Sequence, residues 1–151
     1  MNKVSSHAEL ALQNGKDGQT CSEAVMTAFA DLTGLEIPMA HKLVSGMAGG
    51  MGGMGKTCGA VTSAYLSLGL IFGPECVEDV KKRDNTMRLI NEFSTRFIAE
   101  FGSIKCTELC VGVDLRSPED RKRLRESGLP NKFVHGAATI LAQIIAEENA
   151  T

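Results

Sequence analysis

An all-α fold follows from three features of this 151-residue chain. Apolar residues recur at three- and four-residue steps over most of its length. Runs of β-branched alternation that would mark strands are scarce, and glycines and prolines fall where the helical runs stop. The expected architecture is a single-domain multi-helix bundle over residues 1–151, with a central apolar helix following a Gly-rich loop. The length suits one domain with a real core and is too short for two comfortable ones. No repeat, linker or low-complexity segment divides it.

The elements follow in order. Ser6-His7-Ala8-Glu9 has the form of a capping box and predicts a first helix stopping near Gly15. Thr20-Cys21-Ser22-Glu23 is a second capping box, and its helix should end at Gly34. Pro38 suits the first turn of a third helix running through Met47. After the Gly-rich loop, an apolar helix is expected from about Cys58 to Ile71, ended by Gly73-Pro74. Its apolar residues nearly encircle it, so it should be the most buried helix. A long helix over 77–101 carries one stripe of Val80, Met87, Ile90, Ser94, Phe97 and Phe101. A short helix is expected around Cys106 to Cys110, a charged one from Ser117-Pro118 to Gly128, and a last one from about Lys132 to Glu148. The inner face of that last helix is Phe133, Ala137, Ile140, Leu141, Ile144 and Ile145.

Composition bounds the function. With 43% apolar and 23% charged residues the chain reads as a soluble globular protein. A formal net charge of −2 gives no general drive toward nucleic acid or an anionic membrane. The start, Met1 to His7, has no apolar signal core, and the Gly59–Phe72 stretch is too short to span a bilayer. A cytoplasmic protein is expected, with no membrane insertion and no nucleic-acid partner. His7 is expected in an exposed first turn, and His41 and His135 as surface or partnered groups. The basic run Arg116 to Arg125 is offset by acids and reads first as a solvated helix face, second as a surface for an acidic partner.

Gly50-Met51-Gly52-Gly53-Met54-Gly55-Lys56-Thr57 matches the phosphate-loop pattern G-x-x-x-x-G-K-[ST] at every fixed position. Such a loop needs a buried parallel strand before it and a helix after it. The residues before it, Met39 to Ser45, read as helix, and no later apolar run ends in an aspartate for Mg²⁺. The competing expectation is that the glycines permit close backbone approach or positive φ, with Met47, Met51 and Met54 as apolar filler.

Five cysteines stand at 21, 58, 76, 106 and 110. An odd count without a secretion signal argues against a disulfide scaffold. Cys21 and Cys58 fall at predicted helix starts, where unsatisfied N–H groups and the helix dipole favour a thiolate. Cys106 and Cys110 are four apart, on one face if helical, and can chelate one metal or lie as two core thiols. No zinc-finger spacing is present.

The blocks Cys21-Ser22-Glu23-Ala24-Val25, Ser45-Gly46-Met47-Ala48-Gly49-Gly50-Met51-Gly52 and Cys58-Gly59-Ala60-Val61-Thr62 resemble a known group in their order. The likeness continues through Glu100 to Leu109, Asp114-Leu115 and Lys132-Phe133-Val134. The group is that of the redox-active proteins named for a C-GCAxxG-C-C cysteine pattern. The resemblance implies a helical domain of about this length with redox-active cysteines, Cys21, Cys58 and Cys106, and a possible iron–sulfur cluster or other thiolate-bound metal. Ser63 stands where the second motif glycine is expected. The fourth family cysteine is expected just before Lys132, where this chain has Leu129-Pro130-Asn131; Cys110 offers a fourth thiol from a different place.

Three functions follow as expectations. The first is redox chemistry through Cys21, Cys58 and Cys106. It runs either as electron transfer at a centre held by these and Cys110, with Gly52, Gly53, Gly55 and Gly59 in the binding loop, or as thiol–disulfide exchange led by Cys58, with a redox partner protein. The second is phosphate-loop nucleotide binding. The third is a non-catalytic dimerisation module, since Gly59, Ala60, Ser63, Ala64 and Ser67 allow close helix approach and make a homodimer plausible under any of the three.

Overall fold

The computed structural model describes residues 2–151, and the side chains of all of these but 3–5; Met1, part of the first segment read above, lies outside the described residues. The fold is all-α. Its elements are α1 (Lys3–Lys16), α2 (Cys21–Ala28), α3 (Ala30–Thr33), α4 (Ile37–Val44), a 3₁₀ turn over Ser45–Met47, α5 (Ala48–Met51), α6 (Gly59–Phe72), α7 (Val80–Phe101), α8 (Cys106–Leu109), α9 (Pro118–Ser127) and α10 (Leu129–Asn149). No strand occurs among the described residues beyond a single antiparallel bridge between Thr57 and Lys105. None of their helices is long and apolar enough to cross a membrane.

Most helix ends fall where the sequence places them. Thr20 caps α2 with a complete capping box: its side chain accepts from Glu23 N–H, and the Glu23 carboxylate accepts from Thr20 N–H. Gly34, Gly102 and Gly128 end helices in the left-handed conformation that glycine adopts without strain. Five boundaries differ. α4 stops at Val44 rather than Met47, its last three expected residues forming the 3₁₀ turn. α1 begins at Lys3, so Ser6-His7-Ala8-Glu9 lies inside the helix rather than at its start. The second predicted helix breaks at Phe29, whose φ of −106° and ψ of 15° leave the helical region. α7 starts three residues later than expected, at Val80. α10 starts three residues early because Gly128 serves as its N-cap and Pro130 fits its first turn.

The core is shared between two helices. α10 packs against α1, α2, α6, α7 and α9, and buries Phe133, Val134, Ala137, Ile140, Leu141, Ile144 and Ile145. α6 is not encircled: it buries Ala60, Val61, Ala64 and Leu68 but leaves Leu70 46% exposed. On α7 the inward face is centred on Leu89, Phe93 and Phe97, while Val80 and Met87, at the edge of the predicted stripe, face solvent. Tyr65, Phe93, Phe97, Phe101 and Phe133 form a chain of ring contacts with centroids 4.7–5.9 Å apart. Such pairs add to the area they bury. The small residues of α6 serve this packing: a Cβ on Gly59 would lie 3.0 Å from Ser22 N, and Ser63 Oγ donates to Ser22 O at 2.7 Å. Gly59, Ala60, Ser63, Ala64 and Ser67 are all buried within the chain, on a helix that packs against α2, α7 and α10.

The Gly-rich segment opens with a left-handed turn and runs on as an irregular stretch over 52–58, without forming a phosphate cradle. Gly49, Gly50, Met51 and Gly52 are consecutive left-handed residues, with φ of 65°, 66°, 68° and 65°. They wind one left-handed turn, a shape closed to most L-residues and open to glycine. Lys56 N–H then donates to Gly50 O at 2.8 Å and Cys106 N–H to Lys56 O at 2.7 Å, tying the turn to α8. Because helices precede the segment and the described residues form no sheet to support it, the phosphate-loop match is one of spelling alone. Met47 packs inward as filler, but Met51 and Met54 are 37% and 53% exposed. Met51 is the only non-glycine with positive φ among the described residues. Met51→Gly is therefore expected to stabilise the protein by up to about 1 kcal/mol, the relief of the left-handed backbone exceeding the entropy a new glycine adds to the unfolded chain. Urea denaturation checks this, and a lower midpoint for the variant would contradict it.

Candidate redox site

Three local structures deliver four sulfurs to one place. The capping box starts α2 at Cys21. Cys58 is the N-cap residue of α6, and its N–H donates to Ile104 O at 2.8 Å, which fixes it against the segment leading into α8. Cys106 opens α8, and Cys110 ends it one turn later, its N–H donating to Cys106 O at 2.8 Å. All four line one cavity of about 500 Å³, which α9 and the start of α10 help to wall. Cys58, Cys106 and Cys110 are buried, and Cys21 is partly exposed. Cys76 sits apart on an exposed turn.

The left-handed turn is what allows the sulfurs to approach. A Cβ on Gly50 would lie 2.7 Å from Cys106 Cβ and 2.7 Å from Lys56 N. Gly49, Gly50 and Gly59 line the cysteine cavity. Of the other loop glycines named from sequence, Gly53 and Gly55 line a separate, smaller cavity beside Thr107 and Leu115, and Gly52 lines neither. Pro130 and Asn131, at the point where the family's fourth cysteine is expected, line the same cavity as Cys110. Cys110 thus reaches from α8 the space that a cysteine at the head of α10 would occupy.

The electrostatics reverse one expectation. Helix starts were expected to lower the Cys21 and Cys58 thiols. Burial instead pushes Cys58 up to about 11, although the N–H groups of Ala60 and Val61 donate to its sulfur and pull the other way. Burial, reinforced by Cys58 and Cys110 nearby, raises Cys21 still further. Removing water from an anion costs more here than the first turn of a helix returns. The depressed thiol is Cys110. Cys106 donates a hydrogen bond to the Cys110 sulfur, which lowers Cys110 below the ordinary value of 9.0 against the effect of burial. The same bond, with burial, raises Cys106 far above it. The pair therefore gives up its first proton more easily than a lone thiol and its second with more difficulty.

A pH dependence follows. Cys58 has a folded-state value above its unfolded 9.0, so its neutral burial contributes stability that is complete below pH 9.0 and lost as pH rises through about 11. Two units correspond to about 3 kcal/mol. Because Cys58 is only about half ionised in the fold at pH 11, Cys58→Ala is expected to lose less stability than wild type between pH 8.5 and pH 11 by about 2 kcal/mol; equal losses would contradict the buried neutral thiol.

The histidines lie elsewhere. His7 is buried rather than exposed, stacked on Phe29 at 4.8 Å and paired with Asp31 at 3.0 Å. His41 and His135 lie against Glu23 and Glu9 at 3.7 and 3.3 Å. The basic run on α9 is only partly a solvated face, because Arg121 and Arg125 line the cysteine cavity.

Cys21, Cys58, Cys106 and Cys110 are the sulfurs expected to ligate an iron–sulfur cluster or another metal. They converge, yet among the described residues no group of three or more His, Cys, Asp or Glu side chains is arranged to hold a metal ion. The four sulfurs share one cavity without forming such a group. What they provide is a hydrogen-bonded dithiol with two neutral thiols beside it.

Neither a search of curated proteins nor one of solved structures found a match. The model of the family described as Putative redox-active protein (C_GCAxxG_C_C) matches residues 19–144, a span that includes all four clustered cysteines. The chain belongs to that redox-active family.

Proposed function

We propose that the chain carries out thiol–disulfide exchange, with Cys110 as the nucleophile and Cys106 as the resolving thiol. The observation that supports this most is the Cys106–Cys110 hydrogen bond, which favours the thiolate of Cys110 while the proton stays on its neighbour. In the first step Cys110 Sγ attacks a sulfur of the substrate disulfide, forming a mixed disulfide as the substrate S–S bond breaks. The departing thiolate takes the Cys106 proton. Once Cys110 is no longer an anion, the bond and charge that held the proton on Cys106 are gone. The Cys106 thiolate then attacks Cys110 Sγ and closes the 106–110 disulfide. The second substrate thiolate leaves and takes a proton from solvent. The protein dithiol is oxidised by two electrons and the substrate disulfide is reduced to two thiols.

Two features favour this pair. Cys106 and Cys110 lie one helical turn apart and line the same cavity. Cys21 and Cys58, kept neutral by burial, surround the nucleophile without adding charge. The redox partner that recycles the dithiol is a protein or small thiol of the same chemistry.

Equilibration in a graded thiol–disulfide buffer, followed by peptide mass analysis, tests the proposal. A two-electron transition that yields a 106–110 disulfide is expected. Anaerobically purified protein that carries stoichiometric iron, or oxidation that never joins these two cysteines, would overturn it.

A further inference from the structure

The cavity that holds the dithiol also carries an unbalanced charge. Its volume of about 500 Å³ lies within the range of small-molecule sites. Lys16, Arg121 and Arg125 line it, against a single acid, Glu126. Arg121 and Arg125 are four apart on α9 and so share one face. Lys16 ends α1 on the wall formed with the start of α2. None of the three cations is in an ion pair among the described residues. Arg121 Nη1 donates to Leu115 O at 3.0 Å, which holds its guanidinium in place. The other cavity-lining groups near the sulfurs are largely apolar or small, among them Leu109, Leu124, Phe133 and Val134.

Resting on the thiol–disulfide exchange just proposed, we infer that the substrate is a low-molecular-weight disulfide bearing carboxylates. Its sulfur enters the apolar floor beside Cys110, and its carboxylates rest against Lys16, Arg121 and Arg125. The cations offset the repulsion between an anionic substrate and the Cys110 thiolate, and they raise the local concentration of anions at a low-dielectric cleft. The substrate accepts two electrons and two protons and leaves as two thiols, while Cys106 and Cys110 become a disulfide. A protein disulfide has to expose a thin, flexible segment to reach these buried sulfurs, and nothing in the cation placement calls for one.

The test uses the full chain in a Cys76→Ser background, so that no exposed thiol contributes to the signal. Three aliphatic disulfides serve as probes: dianionic 3,3′-dithiodipropionate, neutral bis(2-hydroxyethyl) disulfide and dicationic cystamine. Each rate of 106–110 disulfide formation is divided by that probe's rate with free 2-mercaptoethanol, which removes intrinsic reactivity. The dianion is expected to exceed the dication by about tenfold or more at low salt, with the difference shrinking as ionic strength rises. In K16E/R125E the order is expected to reverse. The salt dependence of the parent chain keeps the test decisive if that variant folds poorly. Equal normalised rates, or faster reaction with cystamine, would overturn the substrate class and leave the exchange chemistry standing. No reaction with any probe would overturn both.

Discussion

Cys110→Ser is expected to slow disulfide reduction at neutral pH by about tenfold or more. Outside the pair, Cys58 stands at about 11 and holds about 10⁻⁴ of itself as thiolate at pH 7. Cys110 lies below 9.0 and so holds at least about 10⁻². A more basic thiolate is the better nucleophile, which returns about tenfold of this hundredfold deficit and leaves the variant slower by the remainder. Cys106→Ser behaves differently. It keeps the attacking sulfur but removes the resolving thiol, so the chain should halt as a mixed disulfide detectable by intact mass. It also removes the donor that lowers Cys110, so the alkylation rate of Cys110 should titrate at higher pH than in wild type. A Cys110→Ser variant with wild-type rate, or a Cys106→Ser variant that turns over normally, would remove the assigned roles.

Gly50→Ala is expected to be the most damaging change in the left-handed turn. Its new Cβ would meet Cys106 Cβ and Lys56 N at 2.7 Å and Gly55 C at 2.9 Å, two of them backbone atoms that cannot swing aside. The residue would also sit at φ +66°, where alanine is strained. A cost of about 3 kcal/mol or more follows, which lowers Tm by about 6–12 °C in a chain of this size. Gly112→Ala is the control: it has φ +78° but nothing within 4 Å of a Cβ, so about 1 kcal/mol is expected. Equal Tm shifts for the two would mean that the Gly50–Cys106 contact is not tight. Any Gly50 variant that still folds should also lose part of the Cys106–Cys110 bond and shift Cys110 reactivity upward in pH.

The fold was legible where local chemistry decides it. Thr20 with Glu23 marks a helix start, and Gly34, Gly73-Pro74, Gly102 and Gly128 mark ends, because caps and left-handed residues act within a few positions. The break at Phe29 carries no such residue and comes from how α2 and α3 pack on α6. The left-handed turn was legible only as a demand for glycine; Met51 at φ +68° follows no local preference. For the site, Cys21, Cys58 and Cys106 could be named from the pattern, and Cys110 as a fourth thiol. Their charge states could not. The helix-start rule supplies one contribution to the Cys58 thiol, while the desolvation that outweighs it depends on distant parts of the chain closing over the sulfur. Arg121 and Arg125 were likewise hidden: on sequence they belong to a charged helix, and only its placement beside the cavity gives them a role.

The central claim is that packing turns Cys110, not a helix-start cysteine, into the reactive thiolate. Isotope-coded alkylation of the native Cys76→Ser chain at pH 7, with peptide mass analysis at short times, measures it directly. Cys110 modified first, with Cys21 and Cys58 at least about tenfold slower, is the predicted result. Cys21 or Cys58 reacting first, or all four at one slow rate, would contradict it.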